Sequence, residues 1–217
     1  MQILLIVLAG VAVILGGWWA WKLEQKRRAA FKAWADSHGF RYSHQKDPEL
    51  RRVYGFLDRL QVGHSRSGYH VLRGDWAGRP AAAFQFRYTV GSGKSQHTVH
   101  VGVALLHLEQ SFPELLISPE NILHRLGEMF GFDDIDFESV TFSKAFQVRC
   151  QDKKFAYDFC NTGMMEYLLA HPDTCLEQEA GVLAVLREGE LKAEHLDGLF
   201  QRLAAIRAKM PDYLFRA

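Results

Sequence analysis

The chain has 217 residues, with 26 Lys plus Arg against 25 Asp plus Glu, and a formal net charge of +1 at pH 7. Five of those bases and two of those acids precede residue 39, so the remainder has 21 bases and 23 acids. This remainder lacks the basic excess with which nucleic-acid-binding domains neutralise phosphates, so we predict no nucleic-acid partner.

The chain opens with an apolar run at residues 3–21 that contains no charged residue. A helix of this length spans about 28 Å, close to the roughly 30 Å hydrocarbon core of a bilayer. A cleaved signal peptide would instead need basic residues before a shorter apolar run and a cleavage site of small residues. The pattern therefore predicts one amino-terminal transmembrane helix at residues 1–21, in contact with the lipid bilayer through residues 3–21.

Aromatic and basic residues mark the end of this run. Tryptophans are enriched at membrane interfaces, and basic residues stay on the cytoplasmic side. We therefore expect a single-pass protein of the cell inner (plasma) membrane, with its N-terminus outside and its C-terminal domain in the cytoplasm. The candidate membrane-interface residues are Trp18, Trp19, Trp21, Lys22, Lys26, Arg27 and Arg28.

Residues 22–38 are predicted to form a basic amphipathic stalk helix that stops at Gly39. Leu23, Ala30, Phe31 and Trp34 fall on one stripe of such a helix. Two interpretations remain open. The basic residues could bind anionic headgroups, or the apolar stripe could dock on the chain's own domain. We favour the second.

Residues 39–217 are predicted to form one α+β domain, an antiparallel sheet with helices packed on it. The segments 69–74, 81–90 and 97–108 favour a three-strand meander, and Phe84, Phe86 and Tyr88 alternate as in a sheet that is buried on one face. The other predicted elements are a helical turn at 49–60, a helix that starts at Ser118 and Pro119, a strand in 140–152, a helix over 153–169 broken near 161–163, a hairpin in 175–192 and a helix over 193–209.

No motif for catalysis, cofactor binding or metal binding stands out in the domain. The GSGKS stretch at 91–95 lacks the upstream glycine of a phosphate-binding loop and precedes a strand pattern. His97 and His100 have odd spacing and point to opposite faces of a strand. Cys150, Cys160 and Cys175 form no CxxC pair, which predicts free thiols. We therefore predict no catalytic residue, no metal ligand and no cofactor.

The stretch from Phe142 to Pro172 resembles a recurring pattern in uncharacterised bacterial proteins with a single membrane anchor and an α+β domain. The matching residues are Phe146, Val148, Asp152, Phe155 and Ala156, followed by Gly163-Met-Met-Glu-Tyr-Leu-Leu169. The resemblance implies a fold and no particular chemistry. From this motif we expect core positions at Phe146, Val148, Ala156 and Leu168, and a helix cap at Asp152.

These observations predict a membrane-tethered cytoplasmic domain that works by interaction with an unidentified membrane protein and not by catalysis. The alternative is a peripheral domain that senses anionic lipid through the stalk and the strands between Arg73 and His100. A third hypothesis is an unrecognised hydrolase, which would need His100, Cys150 or Asp152 to cluster in a concave pocket.

Overall fold

The computed structural model describes residues 2–120 and 134–216, and within helix α1 it leaves the side chains of residues 2–9 and 12 undescribed. The centre of the molecule is an eight-stranded antiparallel sheet in the order β1-β2-β3-β4-β8-β7-β5-β6. The strands are β1 (Arg41–Ser43), β2 (His64–Trp76), β3 (Arg79–Val90), β4 (His97–His107), β5 (Leu115–Pro119), β6 (Phe146–Cys150), β7 (Cys175–Glu179) and β8 (Val182–Glu188).

Six α-helices in the described residues surround this sheet. They are α1 (Gln2–His38), α2 (Glu49–Tyr54), α3 (Val140–Ala145), α4 (Lys153–Phe159), α5 (Thr162–Leu169) and α6 (Ala193–Lys209). Short 3-10 turns occupy Asp58–Leu60, Gly93–Ser95 and Asp212–Phe215.

The predicted transmembrane helix at residues 1–21 is wrong for the described part of the chain. No described helix combines the length and the apolar character that crossing a membrane requires. The physical reason lies in the composition of α1 beyond residue 9. Gly10, Gly16 and Gly17, the three tryptophans and then Lys22 and Glu24 lower its mean hydropathy. The α+β architecture with an antiparallel sheet is as the sequence predicts.

The three-strand meander is confirmed, but its exposure differs from the prediction. Strands β2, β3 and β4 pair in sequence order, with Phe84 opposite Val103. Phe84, Phe86 and Tyr88 are buried as expected. Gln85, on the opposite face, is also fully buried. The sheet is therefore covered on both faces, because helices lie over the side that the alternation assigned to solvent.

Two apolar clusters lie on the two faces of the sheet. The larger one joins α1, the helices from α3 to α6 and one face of the strands. The smaller one lies under the segment that carries α2 and the Asp58–Leu60 turn, around Leu50, Leu57, Phe84 and Leu105. One face of the sheet thus has a thick helical layer, and the other has a single thin segment.

Two predicted elements differ from the structure. Ser118 and Pro119 end strand β5, so they are not the first residues of the predicted helix. The next residue, Glu120, is helical, and residues 121–133 of the predicted helix lie outside the described residues. The segment 140–152 begins as helix α3, because the Ser139 hydroxyl accepts a hydrogen bond from the Phe142 amide and caps it. Only its second half forms the predicted strand, β6.

The positions expected from the Phe142–Pro172 motif are confirmed. Phe146, Val148, Ala156 and Leu168 are all buried. The Asp152 carboxylate accepts a hydrogen bond from the Phe155 amide and caps α4. The three cysteines are free thiols and are buried, as their spacing indicates. The hairpin β7–β8 and helix α6 also occur where the sequence places them.

Candidate functional site

The last part of α1 packs against the domain. Phe31 and Ala35 are buried, and Trp34 stacks on Phe200 with the ring centroids 5.7 Å apart. The Trp34 indole N–H donates to Asp197 Oδ1 at 3.0 Å. Phe31 and Trp34 of the predicted stripe thus dock on the sheet and α6, whereas its other members, Leu23 and Ala30, are exposed.

Arg27 joins α1 to the centre of the sheet. Its Nη2 donates to Gln85 Oε1 and to the Leu191 carbonyl, both at 2.9 Å. The Gln85 side chain also accepts from the Leu191 amide at 2.6 Å and donates to the Val101 carbonyl at 3.0 Å. A buried amide that uses both its donor and its acceptor in this way fixes the position of the helix.

A buried histidine lies under α1 beside Arg27. The Tyr42 hydroxyl is 2.6 Å from His70 Nδ1, and His70 Nε2 is 3.4 Å from Glu24 Oε1. A neutral imidazole with its proton on Nε2 satisfies both contacts. Burial, reinforced by the charge of Arg27, lowers the pKa of His70 to about 4. Burial also raises the pKa of Tyr42 to about 12.

The predicted membrane-interface residues divide into two groups. Arg27 and Arg28 are half-buried against the domain, and Arg28 pairs with Glu24 at 2.7 Å. The others are exposed. The exposed fractions of Trp18, Trp19 and Trp21 are 52%, 60% and 60%. The residues of this exposed group are Trp18, Trp19, Trp21, Lys22 and Lys26.

The contacts of α1 show which way it leaves the sheet. His38 stacks near Trp76 at one end of β2, whereas Arg27 reaches Gln85, about halfway along β3. Residues before Glu24 therefore extend towards the β3–β4 turn and past it, since a helix rises about 1.5 Å per residue. We call residues Val11–Leu23 the projecting segment of α1.

A basic cluster lies around α2 and the beginning of β2. Its four residues surround a shallow depression of about 450 Å³ beside Ser67, which pairs with Arg87 on β3. Two of them also have local partners, because Arg52 pairs with Glu49 and Arg66 donates to the Gln61 carbonyl. The members of the basic cluster are Lys46, Arg51, Arg52 and Arg66.

The residues that the hydrolase hypothesis requires do not come together. His100 is on β4 and Cys150 is on β6, four strand steps apart, or about 19 Å at the usual strand spacing. The Cys150 thiol donates to the Asp152 carbonyl, and burial raises the pKa of this thiol to about 11. The Asp152 carboxylate serves as the cap of α4.

Comparisons with known proteins give one informative likeness. No protein-family model matches the chain, and no curated protein sequence matches it. Among solved structures, the fold is similar to that of the mycobacterial trehalose monomycolate transport factor A, TtfA, with a TM-score of 0.62 and 17% sequence identity. The match covers 84% of this chain and 92% of TtfA. At this identity the likeness shows a shared fold.

Proposed function

We propose that this chain is a membrane-associated interaction protein, in which the projecting segment of α1 binds a membrane surface and the domain presents a binding face there. The observation that carries the proposal is the exposure of this segment. Its exposed apolar side chains include Val13, Ile14, Leu15 and Trp19. Contiguous apolar surface of this kind is rare on monomeric soluble proteins and marks interaction sites.

A lipid surface fits the chemistry of this segment. The three tryptophans lie between aliphatic residues and the first charges, the order in which side chains occur across a membrane interface. Lys22 lies over the Trp18 ring, 4.9 Å from its centroid. Cations next to these tryptophans, such as Lys22, attract anionic headgroups, and each cation contributes about 1 kcal/mol to binding near the membrane surface.

The fold shared with TtfA also supports a role at a membrane. TtfA is named a transport factor for trehalose monomycolate. For this chain we propose an accessory role in transport at a membrane, with a membrane protein as the partner of the domain. Catalysis is not part of the proposal.

Vesicle flotation of the full chain tests membrane binding. We expect binding to vesicles with 30% anionic phospholipid, and a loss of at least about tenfold in the variant Trp18→Ser, Trp19→Ser, Trp21→Ser, because interfacial tryptophans are removed. Val140→Ser removes a similarly exposed apolar residue of another helix, α3, and is the matched control. Equal flotation of the triple variant and the native chain would refute the proposal.

The basic cluster favours a second candidate, the sensing of anionic lipid by the domain itself. If it holds, the variant Lys46→Gln, Arg51→Gln, Arg66→Gln should bind anionic vesicles about 100-fold more weakly at low salt and neutral vesicles equally well. If only the tryptophan substitutions matter, the projecting segment alone carries membrane binding and the domain is free for a protein partner.

A further inference from the structure

A pocket with a buried cation opens on the thinly covered face of the sheet. Its volume is about 220 Å³, and its floor comes from neighbouring strands: Tyr88 of β3, Val101 of β4, Cys175 of β7 and Leu186 of β8. All four side chains are buried members of the smaller apolar cluster. For comparison, a cavity of roughly 150 Å³ accommodates benzene.

Arg59 lines this pocket from the Asp58–Leu60 turn, with 4% of its surface exposed. Its Nη2 donates to the Ser118 hydroxyl at 2.7 Å. In the described part of the chain, its Nε and Nη1 find no hydrogen-bond partner. Nor does any described carboxylate approach the guanidinium within ion-pair distance. A buried cation with open donors is rare, because both the charge and the donors lose their hydration.

The buried acid Glu177 bonds to backbone amides and not to the Arg59 guanidinium. The Glu177 carboxyl accepts hydrogen bonds from the backbone amides of Asp58 and Arg59 and so holds the turn on the sheet. Burial raises the pKa of Glu177 to about 8, so at neutral pH this group is largely the uncharged acid. The charge of Arg59 attracts the Asp58 and Glu177 carboxyls, but neither carboxyl forms an ion pair with it in the described part of the chain.

We propose that this pocket binds a small monoanionic ligand with an apolar body, a short aliphatic carboxylate, whose head pairs with the Arg59 guanidinium. The aliphatic part would lie on Tyr88, Val101 and Leu186. A guanidinium matches one carboxylate, since its N–H groups donate to the carboxylate oxygens. A phosphate dianion fits less well, because two acids, Asp173 and Glu188, line the pocket against one further cation, Arg187.

Calorimetric titration with hexanoate tests this site on the full chain. We expect saturable binding of hexanoate, and binding at least about tenfold weaker for hexanol, which has the same chain without the charge. Hexyl phosphate distinguishes a carboxylate site from a general anion site, and tighter binding of the phosphate would overturn the choice of ligand. The absence of saturable hexanoate binding would overturn the site.

Arg59→Met tests the role of the cation. The substitution should weaken hexanoate binding about tenfold or more and leave hexanol binding unchanged, while thermal stability is retained or raised, because an unpaired buried charge is removed. A marked loss of thermal stability with unchanged hexanoate affinity would show that Arg59 is only structural. Lys153→Met, an exposed residue of α4, is the matched control and should bind as the native chain does.

Thiol protection gives a readout that needs no variant. Cys175 lines the pocket, whereas Cys150 and Cys160 belong to the larger cluster on the other face. Hexanoate should slow the alkylation of Cys175 by a small reagent and leave the other two cysteines unaffected. Equal alkylation of Cys175 with and without hexanoate would contradict binding in this pocket.

Discussion

At the scale of single residues, His70 combines strain with burial. It has a positive φ of 51°, where the register of β2 against β3 shifts between Tyr69 and Leu72. Non-glycine residues in this region are uncommon. The shift turns the ring under α1, where it stacks on Phe31 at 5.2 Å and contacts Tyr42. Packing around the ring therefore maintains an unfavourable backbone conformation.

The buried histidine predicts a dependence of stability on pH. Because the pKa of His70 falls to about 4 in the folded chain, against about 6.5 unfolded, protons bind more readily to the unfolded state. The stabilisation that comes from the neutral His70 is complete above pH 6.5, and it is lost as the pH falls towards 4. Between pH 7 and pH 4, the free energy of unfolding of the native chain should therefore fall by about 2 to 3 kcal/mol more than that of His70→Asn, as measured by urea unfolding.

Asparagine suits this comparison because it tolerates a positive φ better than most residues. Taking the difference between the two chains removes the contribution of other groups, such as Asp58, whose pKa is raised to about 7 by burial and by Glu114. Glu24, Arg27, Arg28, Tyr42 and His44 lie around position 70 in both chains. A difference that stays constant from pH 7 to pH 4 would contradict the prediction.

At the scale of elements, α1 is one helix with two environments. Trp34 is nearly buried among Phe40, Trp76 and Phe200, whereas Trp19 is mostly exposed. Both are tryptophans of the same helix, so their substitution separates docking on the domain from interaction with other molecules.

Trp34→Ala should lower the free energy of unfolding by about 3 to 5 kcal/mol, because it removes a large core side chain and its hydrogen bond to Asp197. Trp19→Ala should change the free energy of unfolding by less than about 0.5 kcal/mol. Urea unfolding monitored by circular dichroism gives both values. A loss of similar size in the two variants would mean that the projecting segment also packs on the domain.

Elements with a strong local pattern were predictable, and those fixed by distant contacts were not. Strands β3 and β4 alternate, and α6 has a regular apolar stripe, so each was found from its own residues. Strand β5 was missed, because Ser118-Pro119 resembles the start of a helix and proline is uncommon within sheets. Its pairing with β6 and β7 depends on segments about 30 and 60 residues away.

At the scale of the whole molecule, the Arg59 pocket could not be found from the sequence. Its residues come from β3, β4, β7, β8 and the turn before β2, and they meet because β8 lies beside β4. A lone arginine in a mixed polar stretch gives no signal of burial. The candidate membrane-interface residues, by contrast, lie within eleven positions of the chain, Trp18 to Arg28, so the sequence alone suggests them.

The whole molecule should show a clear division of its tryptophans at a membrane. Brominated lipids should quench the fluorescence of the native chain, and this quenching should disappear in the variant Trp18→Phe, Trp19→Phe, Trp21→Phe. Trp34 and Trp76 pack against α6 in the domain, so they should remain fluorescent and unquenched. Substantial quenching that persists in the variant would place the domain itself in contact with the acyl chains.

The continuity of α1 from its tryptophans to its docked end has a mechanical consequence. Arg27 follows Trp21 by six positions, a rise of about 9 Å in the continuous helix, with no flexible linker between them. A domain joined to the helix in this way cannot rotate independently of α1. If α1 tilts at a lipid surface, the sheet tilts with it. The angle of α1 would therefore set both the distance of the domain from the membrane and the orientation of the sheet.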